Sequence, residues 1–146
     1  MSYYYTIAEV TKLWCIADRL NAEMPYEISK LKIEDVQKAA NGVGPDSFPS
    51  IVRETLSLLL PYADVATMIH DCTFQYIKDA SKEAWVDANL KFYRNCLLRI
   101  NYLYGWYDPR RYINRKRAAA DYALLGGDIC WNAWLKAKAK YNGQSI

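Results

Sequence analysis

A chain of 146 residues, 52% hydrophobic and 24% charged, has the length and balance of one folded domain that buries a core without disulfide or metal staples. Its formal charge of +3 is too small to imply nucleic acid by itself. No run of about 18 apolar residues is present to span a bilayer.

The first five residues, Met1-Ser2-Tyr3-Tyr4-Tyr5, lack the basic start and apolar core of a signal peptide, so a cytoplasmic protein is expected. Thr6 followed by Glu9 is a capping-box pattern, and Ile7, Val10, Leu13, Trp14, Ala17 and Leu20 then recur at helical spacing. A first helix is predicted from Ile7 to about Asn21, broken by Met24-Pro25-Tyr26, and a short one from Ile33 to Ala40. In the loop Asn41-Gly42-Val43-Gly44-Pro45-Asp46, Gly42 stands where a helix would close and Pro45 prevents its continuation. An apolar helix is predicted from Pro49 to Leu60, ended by Pro61-Tyr62.

Asp64 is expected to cap the next helix, whose stripe of Ala66, Ile69, His70, Thr73, Phe74 and Ile77 turns the single histidine of the chain toward the interior or a cleft. After a turn at 78–81 comes a long helix with Val86, Leu90, Tyr93, Leu97, Ile100 and Tyr104 expected on its inner face. Asp108-Pro109 starts a basic, alanine-rich helix. Gly126-Gly127 interrupts it, and a last segment runs from Asp128 to about Tyr141. Nothing alternates in the manner of a strand, so the fold class is all-α. The four cysteines form no C-x-x-C pair and are expected to be buried thiols.

His70 and Asp87 are almost equally far from the turn near Lys78 and Asp79. On antiparallel helices they would stand at one height, and a carboxylate on one imidazole nitrogen would orient the ring and leave the other nitrogen as a base toward water. Asp71, about 100° around the same helix, would face the glycine loop. There its carboxylate and the backbone carbonyls of a turn containing Gly42 and Gly44 offer oxygen ligands of the kind calcium takes. Two basic stretches stand apart from this group. Arg110, Arg111, Arg115, Lys116 and Arg117 form one, with Trp106 and Tyr107 just before it, and Lys136, Lys138 and Lys140 form the other. Either is a solvated helix face or an attraction for the phosphates of a membrane surface or of nucleic acid.

The Gly42-Val43-Gly44-Pro45 loop, the Ile69-His70-Asp71 core and Asp87 in Asp87-Ala88-Asn89-Leu90 together resemble phospholipase A2, most of all the small phospholipase A2-like proteins of phages and prophages. The Arg/Ala/Tyr-rich tail, its Gly126-Gly127 break and the tryptophan segment after it are similar to those proteins too. The resemblance implies a core of two long antiparallel helices with additional flanking helices, and a calcium-dependent hydrolase of phospholipid sn-2 esters. In it His70 is the general base and Asp87 its orienting partner. Asp71, Val43 and Gly44 would hold Ca2+, and the Gly42–Gly44 loop would contribute to an oxyanion site. Apart from the resemblance, Trp106 and Tyr107 with Arg110, Arg111, Arg115 and Arg117 just after them are expected to form an interfacial or phosphate-binding patch, since aromatics favour the headgroup region and cations favour anionic lipid. Secreted phospholipases carry a cysteine and a tyrosine where this chain has Thr73 and Phe74. The alternative is a catalytically inactive phage or prophage structural or accessory protein on the same scaffold, binding lipid or nucleic acid through its basic segment.

Overall fold

The computed structural model describes residues 3–40 and 60–141, and every regular element among them is helical. The expected glycine loop and the expected helix from Pro49 to Leu60 lie outside the described residues. In chain order the helices are α1 (Ile7–Arg19), α2 (Tyr26–Ser29), α3 (Ile33–Ala39), a 3-10 turn (Pro61–Ala63), α4 (Asp64–Tyr76), α5 (Lys82–Leu103), α6 (Pro109–Leu125) and α7 (Asp128–Tyr141). No helix among the described residues is long and apolar enough to cross a membrane.

Local chemistry sets most of the boundaries. The capping box forms as the sequence predicts: Glu9 N–H donates to Thr6 Oγ1 and Thr6 N–H to Glu9 Oε1, each at 3.1 Å. Asp108 caps α6 by accepting from Arg110 N–H at 2.9 Å, with Pro109 in the first turn. The cap of α5 is Ser81, which accepts from Ala84 N–H. Asp64 is the first helical residue of α4 and not the one before it; its carboxylate accepts from Val65 N–H at 2.7 Å and takes both arms of Arg99 on α5 at 3.2 Å.

Three apolar clusters organise the helices. Val10, Leu13 and Ala17 of α1 pack with Val36 of α3 and with Val65, Met68, Ile69 and Cys72 on one side of α4. Tyr62 and Ala66 pack with Phe92, Cys96 and Ile100 of α5 and Ala118 of α6. Trp134 of α7 closes a third cluster with Trp85 and Ala88. Helix α4 is buried along most of its length because the first two clusters claim opposite faces of it, which is why His70, in its middle, is removed from water.

Helices α4 and α5 run antiparallel, since Asp64 meets Arg99 while His70 meets Asn89 and Phe92. Helix α6 returns against α5, with Tyr122 over Tyr93 and the Leu125 carbonyl at Asn89. The buried face of α5 differs from the expected one. It comprises Trp85, Ala88, Asn89, Phe92, Asn95, Cys96 and Ile100, whereas Val86 is 46% exposed and Leu90, Tyr93 and Leu97 sit at the margin. Two asparagines hold inward positions because each has work for a buried amide. Asn95 accepts from Glu23 N–H at 2.7 Å and donates to the Glu23 carbonyl at 2.8 Å, pinning the chain after α1 onto α5.

Candidate functional site

His70 is 9% exposed, with Phe74 at 4.6 Å and Phe92 at 5.4 Å between ring centres. Its Nε2 lies 2.8 Å from Oδ1 of Asn89. The orientation of that amide follows from its other end, where Nδ2 donates to the Leu125 carbonyl at 3.1 Å. With Oδ1 thereby facing the imidazole, Nε2 carries the proton and donates. A chain of bonds therefore joins the middle of α4, through α5, to the last turn of α6.

The expected partner, Asp87, is elsewhere. It lies two residues before Asn89, roughly 200° around α5, on the exposed face, where its carboxylate pairs with Lys91 one turn on. The antiparallel pairing and the height are as the spacing predicts, but the helix face is not, and the His70–Asp87 contact is replaced by His70–Asn89. The difference is chemical as well as geometric. A carboxylate would stabilise the imidazolium, whereas a neutral amide oxygen orients the ring with far less attraction for its charge. Burial holds the His70 pKa down, to about 4, the Asn89 bond opposes that, and the positive charge of Lys138 adds to the lowering. At neutral pH the ring is an uncharged, weakly basic hydrogen-bond donor.

Asp71 is half-buried, about 100° around α4 from His70. Its charge bears on Tyr5 and Cys72, whose own ionisation is suppressed first by burial and then by neighbouring acids, Asp71 among them. No three His, Cys, Asp or Glu side chains gather as a metal set among the described residues. Gly42, Val43 and Gly44, the loop half of the calcium and oxyanion expectation, are outside them. Of the thiols, Cys72 and Cys96 are buried as expected, Cys130 is half-buried and Cys15 is exposed.

Lys138 departs furthest from the sequence reading. Expected in a surface run with Lys136 and Lys140, it is 1% exposed. Its ammonium donates to the carbonyls of Thr73 at 2.7 Å, Phe74 at 3.0 Å and also Ile77, and lies 4.1 Å from the centre of the Trp134 ring. The Phe74 and Ile77 carbonyls lie beyond the last helical donor of α4, while that of Thr73 also accepts from Ile77 N–H at 3.3 Å, so a side chain from α7 closes α4. Trp134 adds a bond from Nε1 to the Ala80 carbonyl at 3.3 Å. The signal was present in the sequence: Trp131, Trp134 and Lys138 recur at spacings of three and four, which puts the lysine on the apolar stripe of its helix. Asn89 stands at i+4 from Trp85 and i−3 from Phe92, on a stripe that competes in the sequence with the one through Val86, Leu90 and Leu97.

A cavity of about 240 Å³ opens between α5 and the end of α6, lined by Trp85, Val86, Asn89, Tyr122, Ala123 and Gly126. Asn89 brings an amide to it, already engaged at both ends by His70 and Leu125.

The α5–α6 corner concentrates what the core does not use. Trp106 and Tyr107 are 75% and 77% exposed and stack edge to face at 5.9 Å. The corner is braced from below: Tyr112 Oη donates to the Trp106 carbonyl at 2.8 Å, and Gly105 leaves room for the Tyr107 ring, which a Cβ there would meet at 2.7 Å. Arg110 is committed to the corner, held by the Asp108 carboxylate with Nη2–Oδ2 at 2.7 Å and lying 5.0 Å over the Tyr104 ring. Arg117 donates to Asn114 at 3.4 Å. Arg115 and Lys116 are exposed, and neither is in an ion pair among the described residues. Arg111 is half-buried, and its Nε has no acceptor among them.

Comparison of the chain with protein-family models, curated proteins and solved structures finds no match.

Proposed function

We propose that this chain is a non-catalytic accessory protein, of the phage or prophage type its sequence resembles, that binds a polyanionic partner through the basic half of α6. The observation that carries this reading is the display of Arg115 and Lys116, with Arg111 beside them, without carboxylate partners among the described residues. Cations left uncompensated on one helix raise the local concentration of anions and make binding depend on ionic strength. The antiparallel pair α4–α5 supports the phospholipase A2-like scaffold within the same proposal. The amide on His70 supports a structural role for the histidine, since a base whose conjugate acid is held near pKa 4 draws protons from water poorly at neutral pH.

Retention on immobilised heparin tests the reading. Wild type elutes late in a salt gradient, and Arg115→Glu/Lys116→Glu elutes markedly earlier with unchanged helical content. Equal elution of the two overturns the proposal. The hydrolase reading predicts instead that calcium supports fatty-acid release from mixed phospholipid vesicles and that His70→Ala abolishes it, a result that would replace the binding role with a catalytic one.

A further inference from the structure

We infer that the α5–α6 corner is an interfacial anchor for an anionic bilayer, with Trp106 and Tyr107 entering the headgroup region while the cations of α6 meet lipid phosphates. This rests on the polyanion-binding reading above and narrows the partner to a lipid surface. Of the twelve large apolar side chains exposed among the described residues, six fall at one place. Tyr102, Leu103, Trp106, Tyr107, Tyr112 and Ile113 are each at least 39% exposed, and they all belong to the last turn of α5, the corner and the first turns of α6. A protein surface scatters such residues singly unless something covers them. Here they gather at one end of two adjoining helices, beside Arg111, Arg115 and Lys116.

The kinds of side chain distinguish a bilayer from other polyanions. Tryptophan and tyrosine have an apolar body and a polar tip, which suits the boundary between headgroup and acyl chain, and arginine or lysine next to them gains from an anionic leaflet. A duplex or a sulfated polysaccharide would reward the cations alone and leave Leu103 and Ile113 unused. The corner is also prepared in advance. The Tyr112–Trp106 bond, the Asp108–Arg110 pair and the close seat of Tyr107 over Gly105 fix the aromatic pair while it is still in water, so little ordering remains to be done at the membrane.

The test uses the full chain with vesicles of phosphatidylcholine mixed equally with phosphatidylglycerol, vesicles of phosphatidylcholine alone, and soluble heparin. Wild type binds the anionic vesicles at least tenfold better than the neutral ones, and its tryptophan emission shifts to the blue and is quenched by lipids brominated near the headgroup. In Trp106→Phe the shift is lost while binding persists, which assigns the signal to this residue rather than to Trp14, Trp85, Trp131 or Trp134. Trp106→Ser/Tyr107→Ser loses vesicle binding by at least tenfold and keeps its affinity for heparin. Binding to heparin but not to vesicles, or equal vesicle binding by the double serine variant, overturns the bilayer inference and leaves the parent reading standing. Binding to neither polyanion overturns both.

Discussion

At the scale of single residues, an imidazole held by an amide titrates unlike one held by a carboxylate. The ordinary histidine value is 6.5 and burial brings His70 to about 4, so between those values the unfolded chain takes up a proton that the native ring refuses. Stability therefore falls as pH drops from 6.5 toward 4, by about 3 kcal/mol over the full interval. His70→Gln removes that slope, and urea unfolding of both proteins at pH 7 and pH 5 reads the difference. Because the chain has one histidine, its imidazole resonances can be followed by NMR without assignment. Asn89→Asp should raise the His70 midpoint substantially, by putting a carboxylate where the amide stands; an unmoved midpoint would refute the contact. Asn89→Ala leaves the buried Nε2–H without an acceptor and should cost about 1–3 kcal/mol. The inward direction of His70 was legible in the spacing of the α4 stripe. Its partner was not, because chemistry nominated the nearby acid, and only the rotation of α5 decides between two polar residues two positions apart.

At the scale of elements, α7 is fastened to α4 by one lysine. Lys138→Met strips three donors from carbonyls at the end of α4 and should destabilise the protein by roughly 2–4 kcal/mol, read by chemical unfolding, since a buried polar group left unmatched costs about 1–3 kcal/mol. The same substitution removes a positive charge that disfavours the imidazolium, so the His70 midpoint should rise. Burial brings the Lys138 ammonium to about 8 from the usual 10.5, with Asp79 pulling the other way. Between those values the unfolded chain keeps a proton that the native protein has released, so this group's contribution to stability rises with pH across the window, and Lys138→Met flattens it. Helix starts and stops were largely legible, at Thr6 with Glu9, at Asp108-Pro109 and at Gly126-Gly127, because caps and breakers act over three or four residues. The inner face of α5 was not. A stripe drawn through its apolar residues follows Val86, Leu90 and Leu97, while Asn89 and Asn95 are admitted to the core by long-range partners, the Leu125 carbonyl and the backbone of Glu23.

At the scale of the whole molecule, the His70 site and the displayed corner lie toward opposite ends of α5. From Asn89 to Leu103 the helix rises roughly 20 Å, and no side chain is shared between the two sites. Asn89→Ala and Arg115→Glu/Lys116→Glu should therefore add in their effects on stability to within about 0.5 kcal/mol, as measured by urea unfolding of the single and combined variants. A larger coupling would mean that the two sites act together. The all-α class was legible because hydrophobic periodicity is a property of each segment alone. The gathering of exposed aromatics at one corner was visible in the sequence only as a run from Tyr102 to Ile113; the brace of Tyr112 beneath Trp106 appears only once α6 turns back on α5. That turn also sets a posture. Helices α5 and α6 both lead away from the corner, and α5 with its 22 residues is roughly 33 Å long. A molecule held at this corner alone stands on end, occupying little lipid area per copy and placing its far end about 30 Å above the headgroups. Neutron reflectivity from a supported anionic bilayer would then show a protein layer about as thick as α5 is long, rather than one helix diameter deep.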